Sequence, residues 1–361
     1  MGGYLMVRQS HPIQFIHNPD PASLPQEIGE FLRRLGGPTL VVVDGRDNTR
    51  CRAVATLLHG NEPSGVKALL KWLRTGERPA VKLICLIASV QTALHEALFC
   101  HRQIPGQRDM NRCFTPPFDD HQGHIARHFL ELLELYQPEA LLDIHNTSGM
   151  SPSFGVVTCE SPEHEALIAL FTRRMIVTEL RLGALMERSR ERLPVVTIEC
   201  GGAQQPESDQ IAWEGLQRYL FNEQVLRPEP GLVMDLYKDA VRLQLLPGCR
   251  IAFADQPVPG ADLTVPFDVE KFNFGTIPAL TRLGWLGPRG MSVFSVQSAS
   301  GSDVLPHYFL NRSSGLYSAQ QQKLFMITTN PAIALSDCLL YACADIEADQ
   351  VMDTVTEKAV E

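Results

Sequence analysis

The sequence has no excess of positive charge and no block of lysines or arginines; Asp and Glu outnumber Lys and Arg by 41 to 32, for a net charge of -9. That balance argues against nucleic acid or an anionic membrane as the main partner and favours small molecules. Long apolar runs are missing too. The most apolar stretch, "VKLICLIASV", falls far short of the ~20 residues a spanning helix needs. The nine cysteines are odd in number, scattered, and never spaced as a Cys-x-x-Cys pair, so they read as reduced, mostly buried thiols. The N-terminal "MGGYLMVRQSHPIQ" has neither a basic region followed by an apolar run nor a small-residue cleavage site, and a cytoplasmic location is expected. The spaced glycines of a phosphate-binding loop are absent, and "CGG" and "LGG" do not replace them. There is no internal repeat and no low-complexity segment.

What is present is enough apolar sequence, 44% of 361 residues, to bury a large core, at a length that suits two domains. From about residue 38 to 226, β-rich runs ("TLVVVDG", "RAVATLLH", "VKLICLIAS", "ALLDIHN", "SFGVVTC", "PVVTIEC") alternate with helical patterns. The helices are expected at "EPSGVKALLKWL", "HIARHFLELLELY", "PEHEALIALFTRRM" and "ESDQIAWEGLQRYLFNEQVL". Near-continuous apolar strands predict an α/β fold whose mainly parallel, mixed sheet is covered by helices on both faces. After "LRPEPGL", Pro and Gly recur every several residues and helical periodicity fades, which predicts a smaller all-β domain. The expected boundaries are 1–230 for the first domain and 231–345 for the second, followed by an acidic, frayed tail at 346–361.

Three strand ends carry residues capable of chemistry. His59 and Glu62 follow an apolar strand at the start of a helix, the edge of an open α/β sheet where ligands bind. Taken alone, this pair also fits a surface histidine and a first-turn glutamate favoured by the helix dipole. His145 ends "ALLDIH" before a polar turn, and with His59 and Glu62 it completes the three-ligand set of a catalytic zinc. Glu199 ends "PVVTIE" before a glycine pair, where a carboxylate facing the metal can take a proton from water and return it to a leaving amine. Its alternative is a helix cap or an ion pair. Between the first two strand ends, "HRQIPGQRDMNRCF" gathers Arg102, Arg108, Asn111 and Arg112, which suits bidentate recognition of a carboxylate.

"HGNE", "DMNR", "DIHNTSG" and "IECGG", in that order, resemble the succinylglutamate desuccinylase/aspartoacylase family of zinc carboxypeptidase-like amidohydrolases, and the resemblance spans most of the chain. It implies one zinc per chain on His59, Glu62 and His145, with Glu199 as general base and acid and Asp109 orienting His59. It implies that Asn111 and Arg112 bind the substrate carboxylate and that Arg102, or alternatively Arg108, polarises the scissile carbonyl. "HNTSG" is closer to aspartoacylase than to the desuccinylases, which places Asn146 among the substrate-binding residues. Arg188, in "RSRERLPVVTIE", matches a substrate-contacting arginine, with Arg190 and Arg192 as competitors. Tyr317 is the counterpart of a tyrosine that the C-terminal domain, by narrowing the mouth, sends into the site.

The expected activity is hydrolysis of the amide of a small anionic N-acyl amino acid, with no nucleic-acid or membrane partner; a homo-oligomer is compatible with the composition. The alternatives are a metallocarboxypeptidase acting on a short peptide and a non-catalytic small-molecule binding protein of the same fold, against which the intact set His59, Glu62, His145 and Glu199 counts. An interaction module contacting partners through "NPDPASLPQEIG" has no apolar surface stripe to support it. A rival metal site at His121, His124 and His128 is disfavoured because Ile125, Phe129, Leu132, Leu133 and Tyr136 form the buried stripe of that helix, leaving the histidines solvated.

Overall fold

A computed structural model of the chain describes residues 12–344 apart from 148, 180, 204, 299 and 337. The acidic tail expected at 346–361 lies outside the described residues. The chain divides into two compact units between Leu236 and Tyr237.

The first unit is built on nine strands: β1 (Gln14–His17), β2 (Thr39–Val43), β3 (Asp47–Thr56), β4 (Val81–Ile87), β5 (Leu141–Thr147), β6 (Phe154–Val157), β7 (Arg174–Val177), β8 (Val195–Gly202) and β9 (Asp235–Tyr237). Its helices are α1 (Ile28–Leu35), α2 (Ser64–Leu73), α3 (Val90–Ala93), α4 (His121–Tyr136), α5 (Pro162–Ala169) and α6 (Pro206–Phe221). The spatial order is β1-β2-β4-β3-β5-β8-β6-β7-β9. The pairs β1–β2, β3–β4, β3–β5, β5–β8 and β6–β7 are parallel, whereas β2–β4 and β6–β8 are antiparallel. After β3 the chain turns to β4 on one side and later returns to β5 on the other. The crevice above β3 and β5 is therefore the topological switch point, where open α/β sheets bind ligands.

Side chains along the three central strands alternate between two cores. Val54, Leu142, Ile144, Val196 and Ile198 enter a core with α1, α2, α5 and α6. Ala53, Ala55, Leu141 and Val195 enter a second core with Ile125, Phe129, Leu132 and Leu133 of α4. Burial on both faces explains the near-continuous apolar character of these strands. The same alternation carries Asp143, His145, Thr197 and Glu199 to the α4 face. Helix α2 lies close against the sheet: a Cβ on Gly65 would stand 2.2 Å from Thr56 Oγ1 and 3.0 Å from the Ile144 side chain, so only glycine fits there.

Several elements differ from expectation. The helix expected at 162–175 stops at Ala169, and Arg174–Val177 instead pairs in parallel with β6. The helix expected to reach Leu226 ends at Phe221. There the buried Arg52 donates to Tyr219 O at 2.6 Å and Asn222 O at 2.7 Å, so a tertiary partner takes up the last carbonyls. "NPDPASLPQEIG" supplies a 3-10 turn, Pro21–Ser23, capped by Asp20, and the first residues of α1.

The second unit carries two five-stranded sheets. One runs Gly275–Ile277, Gln322–Phe325, Leu340–Ala344, Val241–Leu245 and Phe294–Ser295; the other runs Ile251–Phe253, Leu263–Val265, Arg282–Leu286, Gly315–Ser318 and Phe309–Arg312. Leu243, Leu263, Leu283, Leu316 and Leu340 belong to one shared core. Short helices at Leu305–Tyr308 and Pro331–Ser336 interrupt what the sequence predicts as strands alone. No helix among the described residues is long and apolar enough to cross a membrane.

Candidate active site

Three parallel strands deliver the predicted cluster to one edge. The chain leaves β3 through Leu57, fully buried at φ 55°, a left-handed conformation rare for a bulky residue. It then presents His59 and Glu62 before α2 begins. His145 lies in β5 and faces Glu199 of β8 in direct register. His59, Glu62 and His145 are all at least 96% buried.

The ring nitrogens turn inward. His59 Nδ1 and His145 Nδ1 stand 3.2 Å apart, with Glu62 Oε1 2.8 Å from the first and Glu62 Oε2 2.7 Å from the second. The outward nitrogens each meet a carboxylate: His59 Nε2 is 2.9 Å from Asp109 Oδ1, and His145 Nε2 is 2.9 Å from Asp143 Oδ2. Asp109 and Asp143 thus stand where carboxylates orient metal-ligating imidazoles through the outer nitrogen; the His145 Nε2–Asp143 contact is an ion-pair distance without hydrogen-bond geometry, and His59 Nε2 is shared between Asp109 and Arg102 Nη2. Asp109 itself is fixed, since its Oδ1 accepts from Asn111 N–H at 2.8 Å and its Oδ2 accepts from Arg102 Nη2 at 2.9 Å.

The electrostatics favour a cation at the centre. Burial works against ionising Glu62, but the imidazoles of His59 and His145 hold its carboxyl well below the usual range. Burial likewise opposes the charge on Asp109, yet the His59 hydrogen bond and the His59 and Arg102 charges keep it ionised. For His145, burial disfavours the imidazolium, while Asp143 and Glu62 raise its pKa well above the usual value. With neutral histidines, Glu62, Asp109 and Asp143 set against Arg102 leave two negative charges, which a divalent ion would balance. Asp143 Oδ1 and Glu199 Oε2 are buried without partners among the described residues, so anionic oxygen here lacks compensation. Two imidazole nitrogens and a carboxylate suit zinc. Burial, reinforced by the Glu62 charge, pushes the Glu199 carboxyl up to about 7.

Arg102, rather than Arg108, joins the cluster. Its guanidinium donates to Asp109 Oδ2 and to Glu62 Oε1 at 3.3 Å, and its Nη2 lies 2.7 Å from His59 Nε2. Arg108 is occupied elsewhere, bound to Asp120, which caps α4 through Gly123 N–H, and to Pro117 O at 3.0 Å. Asn111 is buried, and its Oδ1 accepts from Leu185 N–H at 2.9 Å, which fixes the plane of the amide. The adjacent Arg112 is exposed, and its Nη1 donates to Asn111 O at 2.8 Å.

Two of the residues expected to bind substrate have the following surroundings. Asn146 is 2% exposed and fully engaged: its Oδ1 accepts from Ser64 N–H, and its Nδ2 donates to Ser64 Oγ and Gly201 O. No donor is left for a substrate, so Asn146 is a brace between strand ends. Arg188 lines a cavity of about 480 Å³ with Arg127, Glu131 and Glu134 of α4 and with Arg190 and Leu193. Arg190 and Leu193 precede β8, at the end opposite Glu199, and no ligand or proton-transfer residue lines that cavity. Tyr317 belongs to the second unit, opposite Leu310, with its ring lying over Gly315. In the rival group, His124 is exposed, while His128 is half-buried with its ring against Phe15 of β1 rather than solvated.

Asp143 is the residue that sequence reasoning missed. The signal was the Asp-x-His spacing, which puts both side chains on one face of a strand.

The catalytic-domain model of the succinylglutamate desuccinylase/aspartoacylase family matches residues 53–215, which include both histidines, Glu62, Arg102, Asp109 and Glu199. No curated protein sequence matches the chain. Among solved structures, the chain resembles a succinylglutamate desuccinylase from Chromobacterium violaceum at 15% identity, covering 84% of this chain and 87% of that one with a TM-score of 0.53. A succinylglutamate desuccinylase from Silicibacter sp. TM1040 matches at 17% identity over 83% and 86% of the two chains, with a TM-score of 0.53. A succinylglutamate desuccinylase/aspartoacylase from Rhodobacter sphaeroides matches at 15% identity over 81% and 83%, with a TM-score of 0.51. At these identities the likeness concerns the fold.

Proposed function

We propose that this protein is a zinc-dependent deacylase cleaving the amide of a small N-acyl amino acid, because residues 53–215 match the catalytic-domain model of the succinylglutamate desuccinylase/aspartoacylase family, a family of hydrolases. The observation that carries the reading is the convergence of His59 Nδ1, His145 Nδ1 and the Glu62 carboxylate on one buried point, with Glu199 in register beside His145. Zinc held there would supply Lewis acidity and lower the pKa of water toward ~7.

The chain's own residues do the rest. Asp109 and Asp143 orient the two imidazoles from the side of their outer nitrogens. Glu199, buried with Oε2 unpartnered, accepts the proton of the attacking water and passes it to the departing amine. Its raised pKa suits both halves of that transfer near neutral pH. Arg102 places a planar fork of donors at the ligand edge, where it can stabilise the oxygen that gains charge as the carbonyl is attacked. Asn111 and Arg112 offer an amide donor and a guanidinium to the amino-acid carboxylate, which positions the scissile bond.

Incubating the zinc-loaded protein with N-acetyl, N-succinyl and longer N-acyl derivatives of aspartate and glutamate, their α-amides and short peptides tests the reading by release of free amine. The expected result is turnover of one or more N-acyl amino acids and weak or no turnover of the corresponding α-amides. Cleavage of peptides alone, or equal activity on acid and amide, would overturn it.

A further inference from the structure

A second constellation stands on the segment between α3 and Arg102. His101 Nε2 lies 3.0 Å from Glu96 Oε2, His95 Nε2 lies 4.0 Å from Glu96 Oε1, and the two imidazole centroids are 5.1 Å apart. One ligand atom from each residue falls within 4.8 Å of the others. The side chains are 38%, 69% and 27% exposed for His95, Glu96 and His101, so water can complete a coordination shell. A single exposed His–Glu pair contributes little on its own. Here the second imidazole is brought in as well, by a segment in which Glu96 and Phe99 both adopt left-handed φ, 56° and 61°.

The far side of the segment is anchored. Gly60 N–H donates to Arg102 O at 2.9 Å, and a Cβ at Gly60 would meet His101 O at 2.7 Å. The glycine next to His59 is therefore what lets the segment carrying His101 and Arg102 approach. Two imidazoles, which are borderline donors, beside a single carboxylate match Zn2+, Ni2+ or Cu2+ better than Mg2+ or Ca2+.

We infer that His95, Glu96 and His101 form a second metal site, open to solvent, that binds a borderline divalent transition-metal ion. It is distinct from the buried cluster and does not depend on the catalytic role of that cluster. Its ligands are exposed, and no carboxylate is bonded to their outer ring nitrogens, so its affinity is lower than that of the buried site.

The test uses the full chain, stripped of metal, equilibrated with Zn2+ alone and analysed for bound zinc per chain. Wild type should bind two, H95A/H101A one, and H145A one. E96Q, which keeps shape and backbone, should bind the second zinc more weakly than wild type. Equal zinc on wild type and H95A/H101A overturns the inference, whatever H145A does. If H95A/H101A loses one zinc while H145A loses none, this site stands and the buried one fails as a metal site.

Discussion

Asp143→Asn is the most direct probe of the buried cluster, because Asp143 is fully buried and its Oδ2 lies 2.9 Å from His145 Nε2. The substitution keeps the size of the side chain and removes its charge. Two effects act in the same direction. The imidazole loses the anionic neighbour of its outer nitrogen, and the two uncompensated negative charges around the ligand point fall to one. Loss of such an orienting group costs ~10–100-fold in metal affinity, which corresponds to about 1.4–2.7 kcal/mol. Thr197 Oγ1, at 3.5 Å from Asp143 Oδ2, is too distant to take over the role. Zinc affinity would be measured by competition with a chromophoric chelator, and thermal unfolding in excess chelator would show that the metal-free fold is intact. A D143N protein with normal metal-free melting and unchanged zinc affinity would refute the reasoning, since neither orientation nor charge would then matter at His145.

Glu199→Gln should retain zinc and fold but lose at least ~100-fold in turnover; near-normal kcat in a zinc-replete variant would remove Glu199 from proton transfer. With its carboxyl pushed up to about 7, the base form of Glu199 is lost as pH falls through that value, so kcat/KM should rise with pH toward neutrality. A divalent ion beside it favours the ionised form, so this limb in the zinc enzyme should lie at or below 7; its absence from the wild-type pH profile would contradict the assignment. Arg102→Gln should cost ~10²–10³ in kcat, as for loss of a charge-stabilising donor, whereas Arg108→Gln should leave kcat nearly unchanged and act on α4; steady-state kinetics of the pair separates them. Asn146→Ala leaves Ser64 N–H and Gly201 O without their buried partner and should destabilise by about 1–3 kcal/mol, read as a lowered midpoint in denaturant.

His59, Glu62, His145 and Glu199 were legible because each interrupts an apolar run at a point where a polar or glycine-rich turn begins. Pairing order was not needed for that, only the rule that parallel strands share a ligand-binding edge. Asp143 escaped notice because a lone acid inside an apolar strand has no local reading; its meaning depends on the histidine two residues on. Asn146 is the opposite case: a polar residue after a histidine looks available in the sequence, and only the packing of α2 onto β5 shows its amide engaged. Strand β7 was read as the end of a helix because "RRMIV" is short and its strand character comes from pairing with β6. Arg188 turned on which end of β8 its neighbours occupy, and sequence spacing does not report that.

The brace formed by Asn146 also bears on the order in which the molecule assembles. Its side chain joins β5 to Ser64, 82 residues earlier, and to Gly201, 55 residues later. The Ser64 bonds need α2 seated against β5 and the Gly201 bond needs β8 beside β5, so the full set waits for all of these segments, and contacts this far apart in sequence are slow to close. The ligand edge is therefore expected to be among the last parts of the first unit to become ordered during folding. A nascent chain released before Gly201 leaves the ribosome would hold both histidines and Glu62 yet lack the partner strand that registers His145, so metal capture should follow chain completion rather than guide it.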